Sequence, residues 1–266
     1  MQNAKSKRKM QNAKCKMNEK ASEATGELPA LNGKKGRIWE IDAVRGLLIL
    51  CVIASHSLFY SSYILRAFTL PPLVRFVMQY GGLLFVVLSG LSATLGSRSF
   101  RRGLLVFAGG MVLTVGSIAA VQLGWLTEDM IIRFGVLHLL GFAMMVYPIL
   151  KKLPDGALLG FGLAVLALGY WFELKPVLVE TKYLFALGLR YVGFSSGDYF
   201  PIAPQLGWFC LGILLGRRLY PEKTTRLPGV NSETPILRFL RWCGRNSLYI
   251  FILHLPILGG IMMLLA

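Results

Sequence analysis

The sequence predicts an all-α, polytopic membrane bundle of about seven transmembrane helices, with the N-terminus inside and the C-terminus outside. Three observations carry that prediction. Of 266 residues, 55% are hydrophobic and only 16% are charged, against about 25% charged in soluble domains. The mean hydropathy is +0.57, and the apolar residues fall into runs of about 20, the length that crosses roughly 30 Å of hydrocarbon at about 1.5 Å per residue. The basic residues gather at the ends of those runs, where cytosolic flanks of membrane helices carry them.

Residues 1–36 form a polar tail with the near-duplicate segments Met1-Gln-Asn-Ala-Lys5 and Met10-Gln-Asn-Ala-Lys14. Such a composition buries too little apolar surface to fold, so 1–36 is expected to be a disordered, basic cytosolic tail and 37–266 the membrane domain. The tail lacks the apolar core of a signal peptide. The duplication reads either as two alternative start sites or as a weak electrostatic anchor to anionic lipid.

The predicted spans are 43–64, 76–96, 103–124, 131–150, 156–173, 201–218 and 245–264. Arg98, Arg101 and Arg102 flank one hairpin, Lys151 and Lys152 the next. Arg217, Arg218, Lys223, Arg226, Arg238, Arg241 and Arg245 fill the last connection. With the tail in the cytosol, each of these clusters is cytosolic, and seven spans put the C-terminus outside. The stretch 182–200 admits a short interfacial or re-entrant helix, or an eighth span; Arg190 and Asp198 argue against a full crossing. Small residues such as Gly81, Gly82, Ser89, Gly90, Gly103, Gly109 and Gly110 suit close helix packing in lipid.

The net charge of +16 is explained by helix flanks and tail, so a nucleic-acid partner is not expected. Cys15, Cys51, Cys210 and Cys243 form no CxxC pair, which gives no support for disulfides or a thiolate metal site.

All three histidines, His56, His138 and His254, lie inside apolar runs. Counted from the nearest basic flank, they lie roughly 16, 20 and 14 Å deep. Intramembrane ionisable residues face the protein interior and take partners. The three imidazoles therefore share one slab, either as a functional group or as separate interhelical hydrogen bonds. No carboxylate shares the slab, so no metal is expected. At the cytosolic mouth of the first span, Asp42 and Arg45 sit three apart on one face. They read either as a snorkelling ion pair or as an anion site. Asp198 precedes the sixth span, either as a helix-start carboxylate or as a polar group facing a substrate outside.

Glu40-Ile-Asp-Ala-Val-Arg-Gly46, with His56 following 11 residues after Arg45, resembles the opening of the heparan-α-glucosaminide N-acetyltransferase-like family, within the wider transmembrane acyltransferases. Phe134-Gly-Val-Leu-His138-Leu-Leu-Gly141, Asp198-Tyr-Phe-Pro-Ile-Ala-Pro204, Gly244-Arg-Asn-Ser-Leu-Tyr249 and His254-Leu-Pro256 continue it in order. Leu255 departs from the glutamine that commonly follows the last histidine. The resemblance implies transfer of an acyl group, expected to be acetyl, from cytosolic acyl-CoA to a hydroxyl or amine of an extracytoplasmic sugar or envelope glycan. It implies His56 as catalytic residue; His138 and His254 are expected to support it, and Asp198 is expected to act on the acceptor side.

Asp42, Arg45, Arg101, Arg102, Arg217, Arg245 and Asn246 are the expected donor-binding residues at the cytosolic face. Acetyl-CoA is then a co-substrate, with no metal required. The expected partners are membrane lipids and a glycan acceptor, with a homodimer as an allowed assembly, and the expected location is the plasma membrane. The rival reading is a proton-coupled transporter or flippase using the same histidines, but 43–264 shows none of the internal repeats such folds carry.

Overall fold

The computed structural model describes residues 37–63, 69–175 and 179–265; the predicted tail lies outside them. Among the described residues the chain forms α1 (Trp39–Tyr63), α2 (Pro72–Leu95), α3 (Ser99–Gln122), α4 (Val136–Leu150), α5 (Asp155–Leu174), α6 (Ile202–Leu219), α7 (Pro235–Arg245) and α8 (Ser247–Leu265), with short 3₁₀ turns at Glu128–Met130 and Leu184–Leu187. The all-α prediction holds. Prolines set several starts: Pro72 and Pro235 lie in the first turns of α2 and α7, and Pro154 and Pro201 immediately precede α5 and α6. A proline at these positions gives up an N–H that has no helical partner anyway.

Among the described residues four helices are long and apolar enough to cross a membrane: α1 over Trp39–Phe59, α2, α3 and α5. α4 and the Ser247–Ile261 part of α8 are shorter apolar helices, and α6 ends in Arg217 and Arg218. Leu104, Leu105, Val112 and Val115 of α3 and Leu163 and Leu168 of α5 are exposed, an outward apolar face that suits lipid and would be costly in water.

Two expectations need correction, and one open alternative is decided. Residues 131–135 do not belong to the fourth helix. They are non-helical, with Phe134 bridged to Tyr199 and the Phe200 N–H donating to the Phe134 carbonyl at 2.8 Å. The segment 182–200 holds no eighth span; its helical part is the short 3₁₀ helix Leu184–Leu187. The last connection contains α7, and the chain breaks at Asn246, so Arg245 ends α7 instead of opening the final span. α7 alternates arginines with exposed Ile236, Phe239 and Trp242, the pattern of a helix lying at a membrane surface.

The core lies where α2, α4, α5 and α6 meet; Val86, Leu139, Leu158, Phe209 and Ile213 are all fully buried. Backbones touch at glycines. A Cβ on Gly141 would fall 2.5 Å from the Phe107 nitrogen of α3, and one on Gly212 would fall 2.1 Å from the Val87 carbonyl oxygen of α2.

Candidate active site

The site begins at the crossing of α1 and α7. A Cβ on Gly46 would lie 1.9 Å from the Leu240 carbonyl oxygen, and one on Gly244 would lie 1.8 Å from that of Asp42. Only glycine permits so close an approach. The contact joins two motifs that lie 198 residues apart in sequence. It also clusters their charges. Asp42 is buried; its Oδ1 lies 3.1 Å from an Arg45 nitrogen and its Oδ2 3.7 Å from Arg245 Nε. Arg45 also donates to Ser92 Oγ of α2 at 2.7 Å, and Ser92 donates onward to the Leu88 carbonyl at 2.7 Å.

Ten residues beyond each glycine, the two motifs meet again. His56 of α1 and His254 of α8 are hydrogen-bonded, Nδ1 to Nε2, at 2.7 Å, with ring centroids 4.9 Å apart. His254 Nδ1 lies 2.6 Å from the Phe251 carbonyl oxygen. A carbonyl only accepts, so His254 carries its proton on Nδ1. In the neutral ring Nε2 is then a bare lone pair, which accepts from His56 Nδ1–H. By the same count, neutral His56 holds its proton on Nδ1 and leaves Nε2 unprotonated. Among the described residues that nitrogen has no hydrogen-bond partner. The chain carbonyl–His254–His56 thus fixes one tautomer and offers one base.

His138 belongs to a different construction. Its Nδ1 accepts from the Gly135 N–H at 3.2 Å. Its Nε2 lies 3.3 Å from Thr114 Oγ1, whose own proton goes to the Ile132 carbonyl at 2.7 Å. Both nitrogens are therefore occupied. The ring stacks on Phe134 and meets Phe107 edge-on, with centroids 5.4 Å away in each case. Gly110 makes room, since a Cβ there would sit 2.9 Å from Nδ1. Among the described residues His138 makes no hydrogen bond or ring contact with His56 or His254. It closes the first turn of α4.

Asp198 serves the same turn. Its Oδ2 accepts from the Val136 N–H at 3.0 Å, so it caps α4 and does not start the sixth helix. Burial pushes its carboxyl up to about 6, and the Val136 N–H pulls in the opposite direction.

The expected donor-binding residues divide. Asp42, Arg45 and Arg245 come together. Asn246 donates from its amide to the Trp242 carbonyl at the end of α7. Arg217 is spent on the α4–α5 connection, bonding the Leu153 and Lys151 carbonyls and Asp155. Arg102 extends toward Gly96, where a Cβ would lie 2.8 Å from its NH1. Arg101 lines a cavity of about 580 Å³ between α3 and α4. Ser92, Thr114 and the Phe251 carbonyl are partners that sequence reasoning missed. Isolated hydroxyls in apolar runs carry no motif, and a backbone carbonyl leaves no mark in a sequence.

Residues 37–256 match a family model described as heparan-alpha-glucosaminide N-acetyltransferase, catalytic. No curated protein and no solved structure matches the chain.

Proposed function

The chain belongs to the heparan-alpha-glucosaminide N-acetyltransferase catalytic family, and on that premise we propose that it moves an acetyl group from cytosolic acetyl-CoA to a hydroxyl or amine of an extracytoplasmic sugar or envelope glycan. The observation that carries this reading is the unprotonated Nε2 of His56, set by the His254–Phe251 relay. Acyl transfer needs a group that removes the acceptor proton, or one that takes the acyl group itself.

His56 suits both. As a base, Nε2 accepts the O–H or N–H proton while the acceptor atom attacks the thioester carbon; the C–S bond then breaks and the proton passes to the departing CoA sulfur. As a nucleophile, Nε2 bonds the carbonyl carbon while the C–S bond breaks and CoA leaves as thiolate; the acceptor then attacks that carbon, the C–N bond breaks, and the acceptor proton passes to the freed Nε2 and on to the thiolate. In either course His254 accepts from Nδ1–H and supports the cation that forms, while its own Nδ1–H stays on the Phe251 carbonyl.

The reach is right for this division. Arg45 and His56 lie on one helix, with a rise of about 16 Å between them. A CoA head group is polyanionic and stays among cytosolic arginines, while its extended arm of about 15–20 Å spans the interval.

The orientation we propose keeps the N-terminus inside and the seven-span path of the apolar helices. One experiment addresses donor, acceptor and sidedness together. Inside-out membrane vesicles given labelled acetyl-CoA from outside should accumulate label on a glycan or glycolipid in the lumen. Absence of labelled product, or label confined to the outer face, would contradict transmembrane transfer.

A further inference from the structure

Several cations at the expected cytosolic helix ends already have partners. Arg45 is bonded to Asp42 and Ser92, Arg217 to Asp155, and Arg241 to Glu233. Arg98, Arg101, Lys151 and Lys223 are different. Among the described residues their side chains make no ion pair and no hydrogen bond, and all four line the one cavity of about 580 Å³. No carboxylate lines it. Four like charges around one hollow repel one another and persist at lower cost when an anion fills the space.

Two further features agree. Lys223 has φ 57°, in the left-handed region that non-glycine residues seldom occupy and that tends to mark functional positions. The first turn of α3, at the cavity wall, has neither an acidic residue nor a side-chain cap, so its N–H groups stay open to an anion.

We propose that this cavity, and not the Asp42–Arg45 cluster, holds the phosphates of the acyl-CoA donor. Arg45 is then a clamp that fixes α1 against α2 and so positions His56. The inference rests on the acyltransferase reading for the identity of its ligand. The levels match: Ser92, the partner of Arg45, lies on the same helix two residues before Thr94 of the cavity wall. The donor therefore starts near the level from which about 16 Å of helix leads to His56. Guanidinium and ammonium groups bind phosphate oxygens with charge-assisted hydrogen bonds.

The test is calorimetric binding to the purified full-length protein in detergent. CoA, pantetheine (the same arm without phosphates) and a short-chain phosphatidylinositol phosphate are titrated in turn into wild type and the Arg98→Gln/Lys151→Gln variant. Arg238→Gln is the control for an unrelated surface cation. Losing charge-assisted contacts should weaken CoA roughly ten- to a hundred-fold, leave pantetheine unchanged, and leave CoA binding by the control at the wild-type value. CoA affinity equal in wild type and double variant would overturn the proposal while leaving the acyltransferase reading intact. Phospholipid binding that is lost in the double variant, with no CoA binding by wild type, would overturn the donor assignment and give the cavity to a lipid headgroup. Binding of neither would overturn it outright.

Discussion

His56 and His138 occupy the same depth range by residue count, and they do opposite things with their nitrogens. His56 gives one nitrogen to His254 and keeps the other open. His138 spends both, on the Gly135 N–H and on Thr114. Depth and residue type are shared, so neither separates a reactive imidazole from a structural one. What separates them is where each proton is held. A histidine ending in a carbonyl relay is left with a base, and one that closes a helix turn is left with nothing to offer.

That contrast is open to attack at its largest effect first. His56→Ala should lower the transfer rate by at least about 10²–10⁴-fold, the range of general acid–base catalysis, and by more if the ring is acylated. CoA affinity should stay near wild type, because the proposed phosphate site lies about 16 Å of helix away from His56. Transfer at the wild-type rate by a folded His56→Ala protein would favour the transporter reading of the buried imidazoles.

His138→Ala should reverse the pattern. Losing a buried ring and two hydrogen bonds should cost about 2–4 kcal/mol of stability, with transfer per folded molecule retained. Thermal unfolding measured beside activity checks this, and a lost rate at full stability would put His138 in the chemistry after all.

Asp198 offers a smaller effect with a sign. Its folded carboxyl lies near 6, above the usual 3.8, so the folded state holds the proton more tightly. The stabilisation is complete below the unfolded value and is lost as pH rises through about 6. Asp198→Asn keeps a neutral acceptor for the Val136 N–H and should remove that slope, so wild type loses stability relative to it between pH 4 and 7. Asp198→Ala removes the cap and should cost about 1 kcal/mol. Parallel pH profiles for wild type and Asp198→Asn would refute the assignment.

Much of the fold was legible because hydropathy reports burial in lipid directly. The errors fell where the same letters serve two structures. Ile131-Ile-Arg-Phe-Gly135 is apolar enough to extend a helix, yet Phe134 pairs with Tyr199 across 65 residues of sequence, a long-range partner that no local pattern encodes. α7 carries three arginines and so reads as a charged connection; yet its exposed apolar residues recur at helical spacing, the pattern of a surface-lying amphipathic helix. Asp198 stands next to α6 in sequence and caps α4 in space.

The site was legible as a set of residues and not as an arrangement. The motifs contain His56 and His254, but their meeting depends on Gly46 and Gly244, whose close approach no linear motif displays. Arg98, Lys151 and Lys223 drew notice as topology markers, since a single sequence does not show which cations lack a counter-ion.

The central claim is that His56 is held with its proton on Nδ1 and its Nε2 bare. Nitrogen-15 NMR of the protein labelled at histidine reads this directly, with His56→Ala, His138→Ala and His254→Ala assigning the signals. The account predicts Nδ1–H for His56 and for His254, Nε2–H for His138, and loss of the fixed His56 tautomer in His254→Ala. A His56 protonated at Nε2 in the wild-type protein would contradict it.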